Sequence, residues 1–258
     1  MYYFGLYHWR ARLRRLLGGV VAFLGVGMAW RKTPSRSILA LAIALALPVV
    51  VRAIRAGSKL LRPPPWALER YKYDALAAEL PLEGATRLLD VGCGTGRSLV
   101  ALAPHLPAEA SVIGLDVFDN RVILGNAPLL ARRNAREAGI DVDPMRGDVA
   151  RLPLASGSQE VVTACRVLHD LPAGDHGRAL REIRRVCRPE GVLGVLELPI
   201  VPEGVETDPE AYWRELVVEA GFSVERVRRV ERTRGGEPYV VLVAEPSKSD
   251  TGSSVENA

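Results

Sequence analysis

LLDVGCGTGRS, residues Leu88 to Ser98, reads as an apolar strand, a glycine turn and the start of a helix. Glycines at 92, 94 and 96 let the turn tighten and let a ligand come close to the backbone. The spacing is not that of a dinucleotide fingerprint, which needs glycine at position 97, where this chain has Arg97. No GK[ST] follows, so the turn is not a nucleotide-triphosphate loop either. Asp90 stands just before the glycines. A carboxylate there would repel a pyrophosphate and attract a ligand with a cationic end.

Outward from this turn, strand and helix patterns alternate. Strands are predicted at Arg87–Val91, Ser111–Asp116, Val142–Gly147, Glu160–Cys165, Val192–Leu198, Val224–Val230 and Tyr239–Ala244. Helical patterns fill the gaps over Ser98–Leu106, Leu129–Gly139, Gly174–Arg188 and Pro209–Ala220, several of them closed by glycine or proline. Alternation of this kind predicts an α/β fold with a parallel, doubly wound sheet. No helix separates the last two strands, so these are expected to pair antiparallel. Asp90, Asp116 and Asp148 fall at the carboxyl ends of the first three strands, where open α/β sheets bind ligands. A carboxylate at the tip of the second strand can accept hydrogen bonds from two ribose hydroxyls.

The segments LLDVGCGTG, IGLDV, GDVARLPLASGSQEVVTACRVLHDL, ALREIRRVCRPEGVLGVLELP and LVVEAGFSVERV, taken in order, resemble the class I S-adenosylmethionine-dependent methyltransferases, closest to the group labelled type 11. The resemblance covers residues 80 to 245. It implies a Rossmann-like seven-stranded sheet with an antiparallel last hairpin, and S-adenosyl-L-methionine as cofactor. It further implies that Asp90, Gly92, Cys93, Gly94 and Gly96 hold the methionine end. Asp116 and Val117 would then take the ribose, and Asp148 with Val149 the adenine, while Cys165 and Arg166 would lie near the methyl. Between Asp116 and the next helix, VFDNRVILGNAP is some eight residues longer than common members carry. It is expected to form a flap, with Phe118 and Asn126 as contacts. His169 and Asp170 in VLHDL are the candidates for a base, which would help if the acceptor is a hydroxyl. No metal site is expected, because Cys93, Cys165 and Cys187 form no CxxC or Cys/His pattern.

The charge is divided. Residues 1–66 hold eleven Lys or Arg and no acid, whereas the remainder carries 23 basic and 30 acidic side chains. The globular part would repel phosphate, so no nucleic-acid partner is expected. Two charge-free apolar runs lie in the basic segment, Leu16–Trp30 and Ser37–Val51, flanked by arginines and aromatics. They predict a membrane hairpin with helices at about 16–32 and 37–54, contacting the bilayer through residues 10–55. A hairpin packed on the enzyme body and a cleaved leader ending near Ala29 are the other readings. More positive charge flanks the hairpin than sits in its loop, which puts both chain ends in the cytoplasm. A plainly cytoplasmic protein is the alternative. Residues 63–66 read as a proline-rich linker, 67–245 as the methyltransferase domain and 246–258 as a disordered tail.

This reading makes the chain a membrane-anchored methyltransferase. Its expected acceptor is lipid-soluble, such as a polar lipid or a quinone-like ring. A soluble small molecule or protein as acceptor and a non-catalytic cofactor-binding scaffold are the alternatives. The sequence says nothing of oligomeric state.

Overall fold

The computed structural model describes residues 1–32, 35–60, 64–233 and 235–248, so Pro63 of the expected linker and residues 249–258 of the expected tail lie outside the described residues. The elements run β1 (Leu6–Tyr7), α1 (Trp9–Lys32), α2 (Arg36–Leu60), α3 (Tyr71–Ala77), β2 (Arg87–Val91), α4 (Arg97–Leu102) and β3 (Ser111–Asp116). They continue as β4 (Ile123–Leu124), α5 (Pro128–Glu137), β5 (Val142–Arg146), β6 (Gln159–Cys165), α6 (Ala173–Val186), β7 (Cys187–Glu197), α7 (Pro209–Glu219), β8 (Phe222–Val230) and β9 (Tyr239–Pro246). The chain divides into two compact units, residues 1–67 with 119–127, and residues 68–118 with 128–258.

The larger unit is built on a seven-stranded sheet in the order β5-β3-β2-β6-β7-β9-β8. Strands β5, β3, β2, β6 and β7 run parallel, while β9 is antiparallel to both of its neighbours. The fold is therefore the α/β, doubly wound, Rossmann-like sheet with an antiparallel last hairpin. Near-continuous apolar runs such as Leu88–Leu89 and Val161–Val162 suit strands covered on both faces, and these four residues are buried. The chain winds outward from β2 in both directions, so the break between β2 and β6 is the switch point where a crevice opens at the carboxyl ends. The last strand runs through Pro246, opposite Phe222, one residue into the stretch that composition assigns to the tail. Proline is tolerated there because it ends the strand and need not donate to the ladder.

The smaller unit is a hairpin of two long helices. α1 has 24 residues and α2 has 25. At 1.5 Å per residue each is roughly 36 Å long. The expected boundaries, 16–32 and 37–54, were too short, because arginine is a good helix former and the helices continue through their basic flanks. The helices meet through small residues. A Cβ on Gly19 would lie 2.3 Å from that of Ala53, and Gly57 faces Leu16. Only 6 % of either apolar stretch is buried, leaving Leu17, Val21, Phe23, Leu41 and Leu45 exposed.

The insertion after β3 has a partner that the sequence reading missed. Its centre is β4, which pairs antiparallel with β1, Leu6 opposite Leu124 and Tyr7 opposite Ile123. The His8 N–H donates to Val122 O (2.7 Å) and the Trp9 indole to Asn120 O (2.8 Å). Gly5, at φ +72°, lets the backbones close up, because a Cβ there would stand 2.5 Å from Leu124 O.

Candidate active site

The glycine turn sits where β2 ends. Gly92, Gly94 and Gly96 all have positive φ, but for different reasons. A Cβ on Gly92 would collide with the Val167 side chain at 2.2 Å, and one on Gly96 would press on Ala131 O at 3.1 Å. These two glycines serve packing. Around Gly94 the space is open: outside its chain neighbours, the nearest atoms to a Cβ would be Asp116 Oδ2 and Gly92 O, both at 4.0 Å. That hollow is lined by acceptors. The N–H groups of Gly92 and Cys93 donate to Leu115 O, that of Gly94 to Asp116 Oδ2 (3.0 Å), and that of Gly96 to Cys93 O. The turn thus spends its donors internally, unlike a phosphate loop, and suits hydroxyl donors or a cationic group. Asn134 on α5 locks it by donating to Thr95 O (2.8 Å).

Asp116 ends β3 with both carboxylate oxygens oriented, Oδ2 by Gly94 and Oδ1 by the Phe118 N–H (2.6 Å). Phe118 is buried and has φ +51°, a left-handed conformation that costs a non-glycine residue about 1–2 kcal/mol. Val117 between them is exposed, and its carbonyl accepts from Arg146 (2.7 Å). Asp148 is exposed after β5 and caps its own turn by accepting from the Ala150 N–H, while Val149 beside it is buried. Cys165 is buried at the end of β6, and Arg166 follows with φ +59°. Burial pushes the Cys93 and Cys165 thiols well up, which favours the neutral thiol at both positions.

Asp90 lies deeper than the sequence suggested. It is fully buried and accepts from the Ser98 hydroxyl and from Thr163 Oγ1 (2.7 Å), partners on α4 and β6 that spacing alone did not reveal. It therefore ties the turn to the sheet. Burial pushes its carboxyl up to about 7, against the pull of the two hydroxyls. An acid raised in the fold binds an extra proton there between its unfolded value and about 7. The contribution of this carboxyl to stability is then fullest below about pH 4 and declines as pH rises towards 7. Asp90→Asn should flatten that decline. Melting followed from pH 5 to 8 checks this, and equal slopes in variant and parent would refute it.

The site's most unusual pair was half visible in the sequence. His169 Nδ1 lies 2.5 Å from Glu197 Oε2. Glu197 closes β7 with no exposure to solvent, and its carboxylate also accepts from the N–H groups of Val167 (2.9 Å), Leu168 (2.7 Å) and Leu198 (3.1 Å). Burial lowers the affinity of His169 for its proton, but the hydrogen bond and charge of Glu197, with Asp170, outweigh it and the net shift is upward. Asp170 is mostly exposed and stands 3.6 Å from His169 Nε2, beyond hydrogen-bond reach. The signal for Glu197 was available: a lone acid at the end of the apolar run VLGVLEL. Such a residue must be paired if it is buried.

Residues 88–191 match the family described as methyltransferase domain. The chain is 34 % identical over 143 residues to 27-O-demethylrifamycin SV methyltransferase of Amycolatopsis mediterranei, covering 53 % of this chain and 48 % of that protein. It is 34 % identical over 129 residues to demethylmenaquinone methyltransferase of Thermus thermophilus, covering 50 % and 54 %. The chain thus spans about half the length of the curated relatives it matches. Among solved structures, the (4+2)-cyclase SpnF superposes with TM-score 0.56 at 25 % identity over 69 % of this chain and 82 % of that one. An S-adenosylmethionine-dependent methyltransferase from Aquifex aeolicus gives 0.54 at 20 % over 68 % and 90 %. The larger unit carries the fold of S-adenosylmethionine-dependent methyltransferases of known structure, and its residues 88–191 match a methyltransferase domain.

Proposed function

We propose that this chain is a membrane-anchored methyltransferase that uses S-adenosyl-L-methionine to methylate a hydroxyl of a lipid-soluble acceptor, such as a polar lipid or a quinone-like ring. The observation that carries the oxygen acceptor is the pair formed by half-buried His169, in the turn after β6, and fully buried Glu197, at the end of β7. The acceptor-lined hollow over Gly94 fits a ligand with hydroxyls and a cationic end. Asp116 would hold the ribose, Asp148 and Val149 the adenine edge, and the 92–96 turn the methionine end, with Cys165 and Arg166 beside the methyl.

When bound, the cofactor supplies a methyl on a sulfonium, which is already electrophilic. The protein's own task is to orient the acceptor and move one proton. Glu197 accepts from His169 Nδ1–H and so leaves Nε2 with a lone pair. Nε2 would then be the atom that takes the proton from the acceptor's hydroxyl. One relative's name places the methyl on an oxygen, 27-O, and another's names a quinone, demethylmenaquinone.

The membrane reading rests on the hairpin. Its helices are long enough for a hydrocarbon layer of about 30 Å, their apolar surface is exposed, and they pack through Gly19 and Ala53. A soluble core helix would bury that surface. Both ends face the cytoplasm on this reading, from the charge bias. Fold alone does not fix the reaction, since one similar structure belongs to a cyclase.

The deciding experiment supplies full-length protein in detergent with methyl-labelled S-adenosyl-L-methionine and either a total lipid extract or a cytosolic extract. Label in the lipid fraction is expected. Label only in water-soluble products would overturn the lipid acceptor, and cofactor binding without transfer to either extract would favour the scaffold.

A further inference from the structure

The smaller unit contains a groove of about 340 Å³ between its two helices, lined by Ala11, Arg14, Arg15, Gly18, Val49 and Arg52. Ala11, Arg14, Arg15 and Gly18 follow the i, i+3, i+4, i+7 spacing, so they share one face of α1. Val49 and Arg52 are neighbours one turn apart on α2. The small and apolar members form a half-buried floor, and the three guanidinium groups stand exposed at the rim.

Nothing in this unit neutralises them. Residues 1–67 contain no acid, and the single carboxylate of the insertion, Asp119, is engaged by Arg121. Three arginines converging on one hollow without a counter-charge repel one another and call for an anion. Guanidinium forks match phosphate oxygens in a way that single ammonium groups do not. The groove lies near the start of α1, remote in sequence from Lys32 and Arg36. On the same face of α1, towards Lys32, come Val21, Ala22 and Gly25. On α2 the matching positions are Ala46, Leu45 and Ala42. This furrow of small and apolar residues can take an acyl chain below a bound headgroup.

We infer that the Arg14–Arg15–Arg52 groove is a binding site for the phosphate of an anionic phospholipid. The inference rests on the membrane reading above. The occupant chemistry is a phosphate ester, and the apolar furrow selects a lipid over free phosphate as its source.

The test uses full-length protein in detergent, with bound lipid measured by native mass spectrometry after addition of phosphatidylglycerol or phosphatidylcholine. Phosphatidylglycerol should be retained in preference, and excess inorganic phosphate should not displace it. The triple variant Arg14→Gln/Arg15→Gln/Arg52→Gln should bind phosphatidylglycerol about 100-fold more weakly. The control Arg31→Gln/Lys32→Gln/Arg36→Gln removes as much charge from the other end and should bind as the parent does. Equal retention of both lipids, equal loss in the control, or displacement by inorganic phosphate would each overturn the site. Failure of the underlying reading looks different: the chain would then appear in the soluble fraction of cells lysed without detergent.

Discussion

Glu197→Gln should lower kcat by about 10²- to 10⁴-fold, the usual contribution of a positioned base, while leaving cofactor affinity nearly unchanged. The reason is geometric. Glu197 receives four donors, three from the backbone and one from His169. A glutamine can keep one oxygen for the Val167 and Leu168 N–H groups, but its amide nitrogen then faces His169 Nδ1. That nitrogen must become the acceptor, the ring proton moves to Nε2, and Nε2 can no longer take a proton from a hydroxyl. The pH profile adds a readout that mere loss of structure would not give. The active imidazole is neutral, so the rate should rise with pH through a value above the usual ~6.5 for histidine. In the variant the charge that raises it is gone, so any residual pH dependence should move down. His169→Ala should lose a comparable factor with no such limb. A decrease below about tenfold in both variants would remove the pair from the chemistry.

Asp116→Ala should weaken S-adenosyl-L-methionine binding by about 100-fold, because it removes charge-assisted hydrogen bonds worth about 1.5–3 kcal/mol each. Two effects coincide at this residue. The carboxylate is the proposed ribose acceptor, and it also receives the Gly94 and Phe118 N–H groups that shape the turn on either side. Asp116→Asn keeps one acceptor oxygen and should lose less. Gly94→Ala gives an independent check on the same hollow. Its Cβ would come no closer than 4.0 Å to any protein atom outside its chain neighbours, so the fold should survive at a cost of about 1–2 kcal/mol for the left-handed backbone. Calorimetry should nevertheless show weakened binding. Unchanged affinity in both Asp116→Ala and Gly94→Ala would move the cofactor elsewhere.

Much of this architecture could be read from periodicity. The strands Arg87–Val91 and Ser111–Asp116 stand where their apolar runs place them, and the absence of a helix before β9 correctly forecast its antiparallel pairing. Short strands carry little periodic signal, and so Leu6–Tyr7 and Ile123–Leu124 passed unnoticed. Each is two residues long and gains meaning only from the other. Strand-end acids were visible as types but not as roles. Asp90 is bonded through Ser98 and Thr163, eight and 73 positions away, and only the parallel register of β2 with β6 brings Thr163 beside it. His169 was legible, but its pairing with Glu197 was not, because 28 residues and a whole helix separate the two in sequence. The helices of the hairpin were underestimated for another reason: a hydropathy run stops at the first charge, whereas a helix does not.

The ladder between Leu6–Tyr7 and Ile123–Leu124 makes the anchor and the insertion mutually dependent. Neither strand has a second neighbour in its sheet, so losing either leaves the other's backbone groups as a bare edge, open to pairing with foreign chains. The hairpin is therefore not a tag that evolution or a cloning primer can remove at Pro65 without cost. Cutting it away leaves Asp119–Ala127 as an orphan in the chain that runs directly on from Asp116. Relatives without the hairpin are expected to lack the insertion too, the two being gained and lost together as one inherited character.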